Sequence, residues 1–151
     1  YWDLRPSHRH PTLEYRVFDA VHTGEEAVVL AGLARALAVT GAAAGAAGTP
    51  APDPPTPLVT AATFAAARHG LAGPLLDPLA RGLRPAAEVV GQLLDLVRPA
   101  LEAAGDRERV EAGVRVVLAR CTGAARQRAA AARGGLEAAA RLAVAETAEG
   151  L

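Results

Sequence analysis

A chain of 151 residues supports one domain with a modest core. Hydrophobic residues make up 51% but aromatic ones only 3%, so the core must be built from Leu, Val and Ala, a composition that suits closely packed helices. Sixteen basic residues balance sixteen acidic ones, which excludes the basic excess a nucleic-acid-binding face needs. Every basic residue counted in that total is arginine, read first as a codon-usage bias. The single cysteine, Cys121, leaves no internal disulfide, and a reducing cytoplasm is the expected compartment. Arg, Glu, Gly or Pro interrupts the alanine-rich stretches before the ~20 residues a bilayer crossing needs, so no membrane span is expected. No secretory signal is legible at the start. The first residues already read as a strand and there is no Met, which leads us to expect a piece of a longer chain.

Two extended segments open the sequence, residues 1–5 and 12–18. Leu13, Tyr15 and Val17 alternate with Thr12, Glu14, Arg16 and Phe18, the period of a strand. Pro6 and Pro11 bound a loop between them, so two neighbouring antiparallel strands are the simplest arrangement. Thr23 is placed to cap a helix whose first turn holds Glu25 and Glu26. That helix runs toward Gly41, and residues 41–57, rich in Gly, Ala and Pro, read as a flexible loop. A helix over 58–69 ends at Gly70, and residues 70–78 read as turns. Further helices are expected over 85–104, over 107–120 behind an Asp106 cap, and over 123–148 with an interruption at Gly134 and Gly135. Strands first and helices afterwards is the order of an α+β fold.

The chemistry-bearing residues lie in the first eighteen. Asp3 and Arg5 share one strand face, as do Glu14 and Arg16, because residues two apart project from the same side. If that side lines a cleft, a carboxylate and two guanidiniums converge. Carboxylates hold Mg²⁺ and arginine forks bind phosphate oxygens, which together suit phosphoryl transfer. On the pattern alone the favoured reading is a solvated sheet face with cross-strand ion pairs. His8 and His10 lack a third metal ligand nearby and read as loop residues. His69 reads as a helix-end residue complementing the dipole, with a role in the cleft the other reading, and Cys121 as a small buried residue without a His partner. Arg126 and Arg128 lie on a helix and could reach a phosphate or a partner acid, with solvated surface the other reading for Arg128.

Tyr1-Trp2-Asp3-Leu4-Arg5-Pro6-Ser7, followed by Pro11-Thr12-Leu13-Glu14-Tyr15-Arg16-Val17-Phe18-Asp19, resembles the W-D-x-R-P … P-T-x-E-x-R-x-x-D signature of the type 2 glutamate–cysteine ligases. Arg68-His69-Gly70-Leu71, Gly73-Pro74-Leu75 and Asp77-Pro78 resemble a second segment of that family, A-A-R-x-G-L-x-G-x-L-x-D-P. Thr122-Gly123-Ala124-Ala125-Arg126-Gln127-Arg128 resembles a third, G-N/T-G-A-x-R-Q-R. The resemblance implies the C-terminal part of a glutamine synthetase-like catalytic domain binding ATP and Mg²⁺. It implies an ATP-dependent carboxylate–amine ligase that joins glutamate to an amine such as cysteine through an acyl-phosphate. By the same likeness Glu14 would be a metal ligand, Arg16 and Arg5 would hold phosphate, and Arg126 would add a contact to the nucleotide.

Two departures stand out. Ala62-Thr63-Phe64-Ala65 replaces a polar and basic run, and Cys121 stands where the family usually has glycine. Two strands cannot close a substrate bowl, so the isolated chain is expected to be inactive and unstable, and to associate with itself through exposed apolar surface. A second reading, from another class, is a non-catalytic helical interaction module that keeps the strand motif as a remnant.

Overall fold

The structure is a computed structural model and describes residues 3–149; Tyr1 and Trp2 of the opening motif, expected in the first strand, lie outside it. The chain order is β1 (Leu4–Pro6), β2 (Leu13–Tyr15), α1 (Gly24–Ala46), α2 (Thr56–His69), β3 (Leu75–Asp77), β4 (Gly82–Arg84), α3 (Ala86–Ala104), α4 (Arg107–Arg120) and α5 (Gly123–Ala148). This is the α+β class expected, with the strands in two separate antiparallel hairpins.

The β1–β2 pair forms as the alternation predicts but is shorter than expected: β2 stops at Tyr15, residues 16–18 of the expected 12–18 strand lie outside it, and Pro6 sits within β1 rather than outside it. The turn is closed by Ser7, whose N–H donates to Thr12 O at 2.9 Å and whose Oγ accepts from Arg9 and His10 N–H. Thr23 caps α1 as expected: its Oγ1 accepts from Glu26 N–H at 3.2 Å, and Glu26 Oε2 accepts from Thr23 N–H at 3.3 Å. The helix then continues into the segment expected as a loop and stops only at Ala46. Alanine is the strongest helix former, so Gly41 and Gly45 among alanines weaken the helix without ending it. Gly48, at φ 69°, closes it. The extra length overturns a second expectation. With Arg35 its only charge after Glu26, α1 is long and apolar enough, by length and composition, to cross a membrane.

In the folded chain α1 instead packs on α3 and α4. Val29, Ala36, Val97, Leu101, Val110 and Val114 form the buried cluster, a core of Leu, Val and Ala as the composition requires. Glycines set the closeness of α1 to α4. A Cβ on Gly32 would lie 2.7 Å from Val110 Cγ2, and one on Gly113 only 2.1 Å from Val29 Cγ2.

The second hairpin was not expected from the turn-rich 70–78 segment. Asp77 creates it, its Oδ1 accepting from the N–H groups of Leu79 and Ala80 at 2.9 and 3.0 Å. Asp106 occupies the cap position of α4, but its carboxylate binds Arg35 rather than the helix N–H groups. In α5 the expected interruption is present: Gly134 and Gly135 leave helical geometry, Gly135 at φ 71°.

Candidate functional site

The β1–β2 register sets Arg5 directly opposite Glu14. Arg5 Nε donates to Glu14 Oε2 at 2.6 Å, and Arg16 Nε lies 3.7 Å from Oε1. The three groups meet as the strand alternation predicts, and each is roughly two-fifths exposed, at 43%, 44% and 35% for Arg5, Glu14 and Arg16. The Arg5 hydrogen bond, aided by the charges of Arg5 and Arg16, outweighs desolvation and holds the Glu14 carboxyl below its usual range. Asp3 is exposed beside them, its carbonyl accepting from Arg16 N–H at 2.8 Å. The hairpin is pinned to α1 by Tyr15, whose Oη donates to Ala34 O at 2.8 Å and whose ring stacks on Phe18 at 5.8 Å.

As a donor set for Mg²⁺, the hairpin supplies one carboxylate. That fits a cation which keeps several waters and takes one or two carboxylates plus phosphate oxygens. The two guanidiniums have the fork geometry phosphate accepts. Among the described residues no three His, Cys, Asp or Glu side chains are placed to hold a metal ion, so a complete protein cage is not found there, nor do His8 and His10 form one. His69 and Arg68 occupy the last turn of α2, where positive charge complements the dipole.

Arg126 is engaged elsewhere. Its Nε donates to Glu146 Oε2 at 3.1 Å, one Nη to Cys121 O at 2.7 Å and the other to Glu26 Oε1 at 2.8 Å. Glu146 also accepts from Arg120 at 3.1 Å and lies 2.5 Å from His22 Nδ1. On the other side of the imidazole, Gln127 Nε2 stands 2.5 Å from His22 Nε2. His22 and Glu146 are buried. Burial alone would raise the carboxyls of Glu26 and Glu146, but the hydrogen bonds and charge of Arg126, with the His22 contacts, outweigh it and both titrate below the usual range. Arg126, desolvated yet gripped by both acids, is pushed up. The fork expected to meet a nucleotide is thus filled by the protein itself. Cys121 occupies the turn before α5 with φ 66°, and exposed Arg128 borders an apolar cavity of about 450 Å³ lined also by Val17, Phe18, Leu33, Leu93 and Leu118.

Sequence reasoning passed over His22, Glu146 and Gln127. They are brought together across more than a hundred residues, and the only local signal was the capping glutamate Glu26 beside His22.

Comparison with known proteins bears on both clusters. The family described as Glutamate-cysteine ligase family 2 matches residues 1–146. A Frankia alni protein named "Putative glutamate–cysteine ligase 2-2" is 48% identical over 136 residues, 89% of this chain and 35% of that protein. Proteins of similar name from Nocardia farcinica and Streptomyces coelicolor are 43% and 44% identical, covering 84% and 89% of this chain but 33% and 37% of their own length. The chain therefore spans about a third of the curated relatives it matches. With a match running from the charged hairpin to the Arg126–Gln127 segment and on through Glu146, the chain belongs to glutamate-cysteine ligase family 2.

Proposed function

We propose that this chain is the C-terminal part of the catalytic domain of an ATP-dependent carboxylate–amine ligase with a glutamine synthetase-like architecture. The reaction joins glutamate to cysteine or a related amine. The γ-phosphoryl group of ATP moves to the γ-carboxylate of glutamate, releasing ADP. The amine nitrogen then attacks the acyl carbon, phosphate leaves, and the amine proton goes to solvent or a base. The single observation that supports this most is the Arg5–Glu14–Arg16 cluster on paired strands, inside the segment that matches the family.

Magnesium, when bound, supplies charge neutralisation on the phosphates, and Glu14 is the ligand this chain would offer it. Arg5 and Arg16 bind and orient phosphate oxygens, since such transfers depend mainly on positioning and electrostatic stabilisation. Arg5 is then doubly employed, releasing part of its hold on Glu14 as phosphate arrives. Arg126 is not carried into this role, because Glu26, Glu146 and Cys121 O already occupy its donors. The lone Cys121 suits a reducing cytoplasm as the compartment.

The test is ATP-dependent ligation by the protein at its natural length carrying Glu14→Gln or Arg16→Ala. We expect kcat to fall by about a hundredfold or more in each, as for loss of a group preorganised toward developing charge. Normal ligation by both variants would overturn the assignment.

A further inference from the structure

Residues 17–21 join the charged hairpin to α1 along the apolar cavity, outside regular secondary structure. One end leaves the proposed site at Arg16 and the other enters the buried cluster at His22. A connection this short tethers the hairpin to His22 and limits their separation to about 20 Å at full extension. His22 is fixed on three sides. Its N–H donates to Glu26 Oε2 at 3.1 Å, and its ring lies 2.5 Å from both Glu146 Oε2 and Gln127 Nε2. With the Gln127 amide donating, Nε2 accepts and Nδ1 carries the hydrogen that Glu146 accepts, a single self-consistent tautomer. Arg126 ties Glu26 to Glu146 and so closes the ring of contacts. Gly123 makes room, since a Cβ there would stand 3.2 Å from the imidazole.

We propose that Arg126 and Gln127 are positioning residues of the ligase site: by clamping His22 they set where the hairpin bearing Arg5, Glu14 and Arg16 stands relative to the helices. The proposal rests on the ligase reading, and adds to it a role for two residues whose partners are internal. The clamp joins the start of α1 to both ends of α5, so the chain's last helix governs the geometry of its first strands.

The experiment uses the protein at its natural length with Gln127→Ala, Arg126→Ala and Arg126→Lys, following backbone hydrogen exchange and ligation kinetics together. In Gln127→Ala the Ser7 and Arg16 amides should exchange at least about tenfold faster while α3 and α4 amides keep their protection, and in Arg126→Ala, which also lowers global stability, the hairpin amides should accelerate beyond those of α3 and α4. kcat should fall by about tenfold to a hundredfold with the KM for the amine held within about twofold, because misplacement affects the phosphoryl end. Arg126→Lys should not rescue, since one ammonium cannot bridge Glu26, Glu146 and Cys121 O together. Exchange that rises uniformly, or only at the ends of α1 and α5, would overturn the positioning role. So would unchanged exchange and kcat in Gln127→Ala while Glu14→Gln abolishes ligation, and the ligase assignment would then stand. If hairpin exchange rises as expected but Glu14→Gln and Arg16→Ala both ligate normally, the assignment of the ligase site to the hairpin fails and only the mechanical tie remains.

Discussion

Cys121 offers a sharp test of how backbone geometry limits this fold. It sits at φ 66° and ψ 174°, a region open to glycine but costly for any residue with a Cβ. Holding a non-glycine residue there costs about 1–3 kcal/mol. Replacing it with glycine removes that strain but returns about 0.5–1 kcal/mol through the larger freedom of the unfolded chain. The Cys121 carbonyl would keep its hydrogen bond from Arg126, because only the side chain changes. Cys121→Gly should therefore stabilise the chain by about 1 kcal/mol, raising Tm by about 2–4 °C for a protein of this size. Thermal and urea unfolding read this directly, with Cys121→Ala as the control that deletes the thiol but keeps the strain. A glycine variant no more stable than the alanine variant would refute the reasoning.

Gly113→Ala should destabilise the chain by about 1–2 kcal/mol, overpacking against Val29 outweighing the roughly 1 kcal/mol gained in helix propensity; Val29→Ala in the same chain should recover part of the loss, and denaturant midpoints measure both. Arg126→Ala leaves Glu26 and Glu146 facing each other without their shared cation and should cost about 3 kcal/mol, partly restored by Glu146→Gln. Both carboxyls titrate below their ordinary 4.5 in the folded chain, so the unfolded chain binds more protons in that range. Their contribution is present above about pH 4.5 and fades as pH falls through the depressed folded values. An acid-unfolding curve should steepen there, and Glu26→Gln with Glu146→Gln should flatten it.

Features written in neighbouring residues were legible. The Thr23 cap, the hairpin alternation, the Gly70 stop and the Gly134–Gly135 break each depend on residues within a turn of one another. The length of α1 was misjudged because glycine was treated as a terminator, when the alanines around Gly41 and Gly45 carry the helix through. Asp106 shows the opposite limit: its cap position is local, but Arg35, 71 positions away, takes its carboxylate. The Arg5–Glu14–Arg16 cluster could be anticipated because strand pairing turns local alternation into contact. The His22–Glu146 contact could not, since it joins residues 124 apart and nothing near either one announces the other. Arg126 was singled out by its motif, yet the motif could not distinguish a fork that meets phosphate from one that meets two acids.

The close approach of α1 and α4 works as a two-toothed key. Val29 and Gly32 stand three apart on one helix, Val110 and Gly113 three apart on the other, and each valine enters the gap left by the opposite glycine. The order of contact is reversed between the helices, so they run antiparallel. Sliding either helix by a turn would withdraw both valines from their notches at once and drive them onto residues that carry side chains. A single seam therefore sets both the separation and the register of the pair, and it resists shear in either direction. Any rearrangement of the fold must then move the hairpins or the kinked α5 around these two helices, which travel as one piece.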